Sequence, residues 1–290
     1  MRITKRVAAG VAALSAAAMS AAVLTGAEGA GASTPHKVPV ITVHMSSKHV
    51  RLSTGSAMHA GRVIFRVVTG KGDHALQIAR LHKGYTLAEA GQDLNKAFGG
   101  DVQAIRRVDS HITFKGGAET RPNKPGRFSV TMYAGHWLFL DQESNAFTKV
   151  TVRGTPPLRA VVPSRGAITA YTYGFGTRSG GTDSDTLPAD GNIRIGNVSD
   201  QPHFVVFQHV KASTTPRMVR RFLKPSNVNR NPSWALRAST SSGVISPYKG
   251  PEVMHVKLPA GKYLIMCFWP DDDTGMPHAF MGMWKLIWLK

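Results

Sequence analysis

Two stretches of the chain follow one plan, and that repetition limits the possible folds more than any single residue does. Gly61-Arg-Val-Ile-Phe-Arg-Val-Val68 alternates apolar and polar residues, then crosses Thr69-Gly-Lys-Gly-Asp73 into His74-Ala-Leu-Gln-Ile78. Gly191-Asn-Ile-Arg-Ile195 does the same, crossing Asn197-Val-Ser-Asp-Gln-Pro202 into His203-Phe-Val-Val-Phe207. In both, a strand leaves a glycine and a histidine opens the next strand. A helix signal follows each time. Thr86-Leu-Ala-Glu89 is a capping box ahead of Leu87, Ala90, Leu94 and Phe98 at helical spacing, closed by Gly99-Gly100. Thr215 stands as N-cap before Pro216 at the first helical position. Finally Pro125-Gly-Arg-Phe-Ser-Val-Thr-Met132 matches Ala260-Gly-Lys-Tyr-Leu-Ile-Met-Cys267, which places Met132 at the cysteine position. A shared order of elements at similar spacing is a duplication signal and takes priority over single motifs.

Period-two alternation also marks Val40–His44 and Val50–Ser53, and further strands are read at His111–Phe114, His136–Leu140 and Phe147–Val152. Short strands between Gly and Pro turns predict an all-β chain of two tandem Greek-key antiparallel β-sandwiches, each with a short helical insertion. Gly154-Thr-Pro-Pro157 stiffens a surface crossing, so the expected division is 33–153, a linker at 154–160, and 161–290. Residues 1–32 read as a signal peptide. Arg2, Lys5 and Arg6 precede apolar Val7–Leu24, and Ala30-Gly-Ala32 offers a cleavage site near Ala32. No Arg-Arg pair precedes that run and no cysteine directly follows it, so a secreted, extracytoplasmic protein of the ordinary secretory route is expected. The mature chain has no apolar stretch long enough for a transmembrane segment.

A single cysteine in an exported chain forms no internal disulfide, which leaves Cys267 free. It opens a loop, Cys267-Phe-Trp-Pro-Asp-Asp-Asp-Thr-Gly-Met-Pro-His278-Ala-Phe-Met281-Gly-Met283, ahead of a last apolar strand. Thiol, imidazole and thioether together are the ligands of a mononuclear copper site, where a His₂Cys plane carries a weak axial Met. The bland alternative makes Cys267 a small buried hydrophobe and lets Met276, Met281 and Met283 fill the sandwich end. Zinc is disfavoured, because no closely spaced Cys/His pairs occur.

At these residues the C-terminal half, from about Ala160 to Lys290, resembles the cupredoxins, the blue-copper sandwiches of plastocyanin and azurin type. The resemblance implies that His203 joins Cys267 and His278 as metal ligands, with Met283 axial and Met281 its alternative. His209 and His255 are the substitutes for His203. It further implies an exported copper-binding protein of one-electron-transfer type, with a redox partner, and a first half (Val40 to Arg153) that is a degenerate copy without its metal. Two features depart from the family pattern. Ten residues separate Cys267 from His278, where the family has a few, and Asp271, Asp272 and Asp273 sit among them.

Tandem domains of this kind also resemble the two-domain multicopper oxidases and nitrite reductases, which need paired histidines for their further copper centres. The twelve histidines here include no His-x-His pair, and Cys267 is flanked by Met266 and Phe268. There is no Gly-x-Ser-x-Gly elbow. Gly174-Phe-Gly-Thr-Arg-Ser-Gly-Gly181 leads into no helix with Lys-Ser/Thr, so it is no phosphate cradle. The expectation is therefore a protein that is not an enzyme. A net charge of +19 supports a second reading, a metal-free secreted module that binds anionic cell-wall polymers or a membrane surface. Arg217, Arg220, Arg221 and Lys224 would be its docking patch. No nucleic-acid motif accompanies the charge, so no specific nucleic acid is expected.

Overall fold

The structure, a computed structural model, describes residues 37–157, 161–227 and 232–290. The signal peptide expected over 1–32 lies outside these residues, and the linker expected at 154–160 lies partly outside them. Strands dominate. The first half contributes β1 (Val40–Ser46), β2 (His49–Leu52), β3 (Ala57–His59), β4 (Gly61–Thr69), β5 (His74–Leu81), β6 (Ile112–Thr120), β7 (Gly126–Met132), β8 (Gly135–Asp141) and β9 (Phe147–Arg153). The second contributes β10 (Gly166–Tyr171), β11 (Gly174–Ser179), β12 (Thr182–Asp183), β13 (Thr186–Leu187), β14 (Asp190–Asn197), β15 (Val206–Val210), β16 (Ala235–Ser241), β17 (Glu252–Lys257), β18 (Gly261–Met266) and β19 (Trp284–Leu289).

The two halves repeat one topology. One five-stranded sheet runs β3-β9-β8-β5-β6 and another β13-β19-β18-β15-β16, so each strand has a counterpart at the same place. The third sheet has nine strands, β12-β11-β10-β14-β17-β7-β4-β1-β2, and joins the halves where β17 pairs antiparallel with β7 through Val253–Ser129 and Met254–Phe128. Antiparallel pairing prevails. β1 with β4, β10 with β14, β3 with β9 and β13 with β19 are the parallel exceptions. The all-β tandem sandwich expected from the sequence is what the chain adopts.

Alternation decides which face is buried. In β4, Val63, Phe65 and Val67 point inward, and Phe65 packs with its ring 5.3 Å from those of Phe128 and Phe139. Those side chains join Leu76, Ile78, Trp137 and Val150 in the core between the first half's layers.

The helical insertions lie between β5 and β6 and between β15 and β16, as the repeat predicts. Helix α1 (Leu87–Phe98) has the capping box from Thr86 and Glu89 with both reciprocal bonds made. Helix α2 (Val102–His111) is capped by Asp101, and α3 (Pro216–Phe222) by Thr215. The destination of α1 and α2 was not legible in the sequence. Ala90, Ala97, Ala104, Ile105 and Val108 belong to the same buried cluster as the second half's core, which includes Cys267 and Trp269.

One part of the expected repeat is corrected. Met132 does not stand at the cysteine position, because β7 pairs with β4 in the nine-stranded sheet while β18 pairs with β15. The counterpart of β18 is β8, which pairs with β5. A Gly-basic-aromatic start followed by an apolar run reads alike in either sheet, so pattern alone misassigned it.

The halves also meet where β6 takes on the segment Ser242–Ser246. Gly116 N–H donates to Val244 O at 2.9 Å, and Gly243 N–H to Gly117 O at 3.0 Å. A Cβ at Gly243 would fall 2.0 Å from the Gly117 nitrogen, whereas one at Gly174 would meet nothing within 4 Å. Gly243→Ala is therefore expected to cost about 2 kcal/mol or more, the penalty of overpacking, while Gly174→Ala stays within about 0.5 kcal/mol. Equilibrium denaturation of the two variants measures the difference.

Candidate metal centre

His203 lies in the turn before β15 and is pinned by a two-way backbone bridge. Its N–H donates to Ile245 O at 3.1 Å, and Ile245 N–H returns to His203 O at 2.8 Å. Ile245 also bridges to Lys115 of β6. A strand of the first half thus sets the position of a histidine of the second.

Cys267 is the first residue past β18. Its N–H donates to Met283 O at 3.3 Å, and its carbonyl accepts from Ala279 N–H at 2.6 Å. His278 begins a single 3₁₀ turn, His278–Met281, closed by Gly282 in the left-handed region. The long Cys–His spacing is resolved by the shape of the loop. Pro270 and Pro277 form a bridge, Asp271 N–H donates to Met276 O at 2.9 Å, and His278 N–H donates to Trp269 O at 2.9 Å. Residues 270–277 are pinched off as a side excursion. In space, His278 follows directly on Trp269.

The consequence is convergence. His203 Nδ1 is 3.5 Å from Cys267 Sγ, His278 Nδ1 is 3.8 Å from it, and the two nitrogens are 3.1 Å apart. All three side chains are buried. A triangle with these edges has a circumradius of about 2.0 Å, close to ordinary metal–nitrogen and metal–sulfur bond lengths. Two imidazoles and one thiol in a plane are the donors that suit copper. Among the described residues this is the one cluster of three metal-ligating His, Cys, Asp or Glu side chains.

Burial decides the protonation of the metal-free site. It pushes the His203 imidazole down to about 2, helped by His278, and the His278 imidazole down to about 4 against the pull of Asp271 and Asp200. It pushes the Cys267 thiol up to about 12, although N–H groups of Phe204 and Trp269 bond to the sulfur. Both rings are therefore neutral with a lone pair to offer, and any metal taken up must displace the thiol proton.

A ring of partners surrounds the donors. Trp269 N–H reaches Cys267 Sγ at 3.4 Å, and the Trp269 ring stands edge-on to Phe98 at 5.6 Å and Phe114 at 5.3 Å. Thus α1 and β6 of the first half wall the loop. Arg106 of α2 adds an exposed clamp, with Nη2 2.8 Å from Asp273 Oδ1 and Nε donating to Asp272 O at 2.9 Å. Behind His278, its Nε2 is 2.9 Å from Gln201 Oε1, and Gln201 Nε2 donates to Asp271 Oδ2 at 3.1 Å. Asp271 Oδ2 also accepts from Tyr173 Oη at 2.8 Å. The aspartate run is thus a buttress of the site. Sequence reading missed Gln201 and Tyr173, because a lone polar residue in a turn carries no periodic signal.

The remaining candidates separate clearly. Met283 is fully buried next to the cluster in sequence and backbone bonding. Met281 turns its sulfur to Thr274 Oγ1 at 3.7 Å. His209 stacks on Tyr263 at 4.7 Å, and His255 lies beside Asn192 and Asp190, so neither substitutes for His203. At the equivalent end of the first half, where β5 begins and β8 ends, His74 Nδ1 meets Asp141 Oδ2 at 2.7 Å. A carboxylate–imidazole pair there takes the place of sulfur and a second histidine.

No family model matches the chain, and no curated protein matches it. Solved structures do. Auracyanin A, a blue copper protein of the green thermophilic photosynthetic bacterium Chloroflexus aurantiacus, is 16% identical over 40% of this chain and 99% of its own, with a TM-score of 0.29. Copper nitrite reductase from Nitrosomonas europaea is 12% identical over 87% of this chain and 94% of its own, with a TM-score of 0.23. A multicopper oxidase is 11% identical over 87% and 88%, also at 0.23. The expectation of a protein that is not an enzyme is corrected on this point: the matched chains that span most of this one are described as enzymes.

Asp271 provides a test of the buttress. Burial works against its charge, yet bonds from Thr274, Tyr173 and Gln201 hold its carboxyl down at about 2. A carboxyl depressed in the folded state stabilises above its unfolded value near 4, and that contribution fades as pH falls through the folded value. Asp271→Asn should cost about 2 kcal/mol at pH 7. The gap to wild type should close between about pH 4 and pH 2, as read by denaturant titrations across that range.

Proposed function

We propose that the chain binds one copper ion through His203 Nδ1, Cys267 Sγ and His278 Nδ1, with Met283 as the weak axial ligand, and serves one-electron transfer outside the cytoplasm. The observation that carries this reading is the convergence of three buried donors around a point about 2.0 Å from each, a typical bond length. Copper held there would alternate between its two common oxidation states and pass single electrons. The protein's part is to hold the donors still. The Ile245 bridge fixes His203, the Trp269 carbonyl fixes His278, and the N–H bonds to Sγ temper the thiolate. Walls of Phe98, Phe114 and Trp269 keep water away. The leader expected over residues 1–32 supports export, and the partner would be a redox protein.

A second reading has one specific observation behind it. Arg217, Arg220, Arg221 and Lys224 are all exposed on and after α3, on a chain of net charge +19. That face suits an anionic cell-wall polymer or membrane surface, with affinity that falls as salt rises. This reading is of a metal-free module, so it stands as the alternative to copper binding.

Titration of the purified protein with Cu(II) should give a 1:1 complex with an intense blue thiolate-to-copper absorption, and Cys267→Ser should abolish the colour. Colourless binding, or colour that survives the substitution, contradicts the ligand set. Met283→Leu should keep the blue band and raise the reduction potential, because losing a weak donor disfavours the oxidised ion.

A further inference from the structure

The geometry points to Gln201 as the residue that presets His278 for metal, by allowing its imidazole only one tautomer; the inference deepens the copper reading and rests on it for its purpose. A Gln side chain has an accepting oxygen and a donating nitrogen, and which end faces which partner must be deduced from the neighbours. Here the neighbours leave no choice. Asp272 N–H can only donate, and it lies 3.3 Å from Gln201 Oε1. The Asp271 carboxylate, held ionised, can only accept, and its Oδ2 lies 3.1 Å from Gln201 Nε2. The oxygen of Gln201 is therefore the end that faces His278, 2.9 Å from its Nε2. For that contact to be a hydrogen bond, Nε2 must carry the proton.

The other ring nitrogen follows. With the proton on Nε2, His278 Nδ1 keeps its lone pair and directs it at the space shared with Cys267 Sγ and His203 Nδ1. Gln201, His278 and Asp271 are all buried, so water cannot take over the acceptor's role. His203 has no such support. Its Nε2 is buried and without a hydrogen-bond partner. The two histidines are thus unequal: one arrives oriented and in the right tautomer, and the other adjusts. Tyr173 completes the chain from Gln201 through Asp271 to the surface, with its hydroxyl on Asp271 Oδ2. Gln201 is a positioning residue, since it touches the ligand and not the metal.

The test begins on metal-free protein. Nitrogen-15 NMR of the imidazoles should show His278 protonated on Nε2 alone. Gln201→Leu removes the acceptor and should give a mixture of tautomers, while Gln201→Glu combined with Asp271→Asn keeps an oxygen facing His278 and a donor at position 271, and should preserve the Nε2–H form. Should the Leu variant fail to fold, Gln201→Met is the second apolar substitution of similar length. Copper affinity should drop about 10- to 100-fold in the apolar variant and recover in the Gln201→Glu, Asp271→Asn double variant, the range expected when a ligand's outer partner is lost. A proton found on His278 Nδ1 in the wild type overturns the inference. So does an apolar variant with unchanged tautomer and affinity. If the wild type takes up no copper, the copper reading fails, and the tautomer spectra still decide what Gln201 does.

Discussion

The hydrogen bond from His278 N–H to the Trp269 carbonyl, 2.9 Å long, is the constraint on which the site depends. It acts together with the Ala279 N–H bond to the Cys267 carbonyl, 2.6 Å long, to set the His278 turn against the residues around the sulfur. With it, the eight residues from Pro270 to Pro277 become a closed excursion, and the path from thiol to imidazole shortens to Cys267, Phe268 and Trp269. The excursion then gains a purpose. Asp271 folds back to receive Thr274, Tyr173 and Gln201, so residues that look like an insertion buttress the histidine from behind.

The second theme is that the first half builds the second half's site. β6 pairs with the segment that pins His203, α1 and β6 wall Trp269, and α2 clamps the aspartates through Arg106. The continuous sheet through β7 and β17 holds these contributions in register. A half whose own equivalent position carries only the His74–Asp141 pair therefore still has a structural role. At that position a carboxylate bonds to Nδ1, where the second half has sulfur and a second histidine.

Much of this was legible in the chain. Strand alternation, the Thr86–Glu89 capping box and the Thr215–Pro216 start are local signals, and local physics fixed them: α1 spans Leu87–Phe98 between the cap and the glycines. His203, Cys267 and His278 were legible as residue types at turn positions, and the structure brings them together. What the sequence could not show is non-local. Nothing in Ala90 or Ile105 says which core receives it. The match of β7 to β18 failed because an apolar run after a glycine fits either layer. Gln201 became visible only once its oxygen could be placed between a backbone donor and a ring nitrogen.

X-ray absorption at the copper edge of the loaded protein tests most directly whether the three donors share one ion. One sulfur and two nitrogen scatterers at about 2.0–2.3 Å, with the sulfur lost in Cys267→Ser, is the predicted shell. A shell of nitrogen and oxygen alone, unchanged by that substitution, would contradict it.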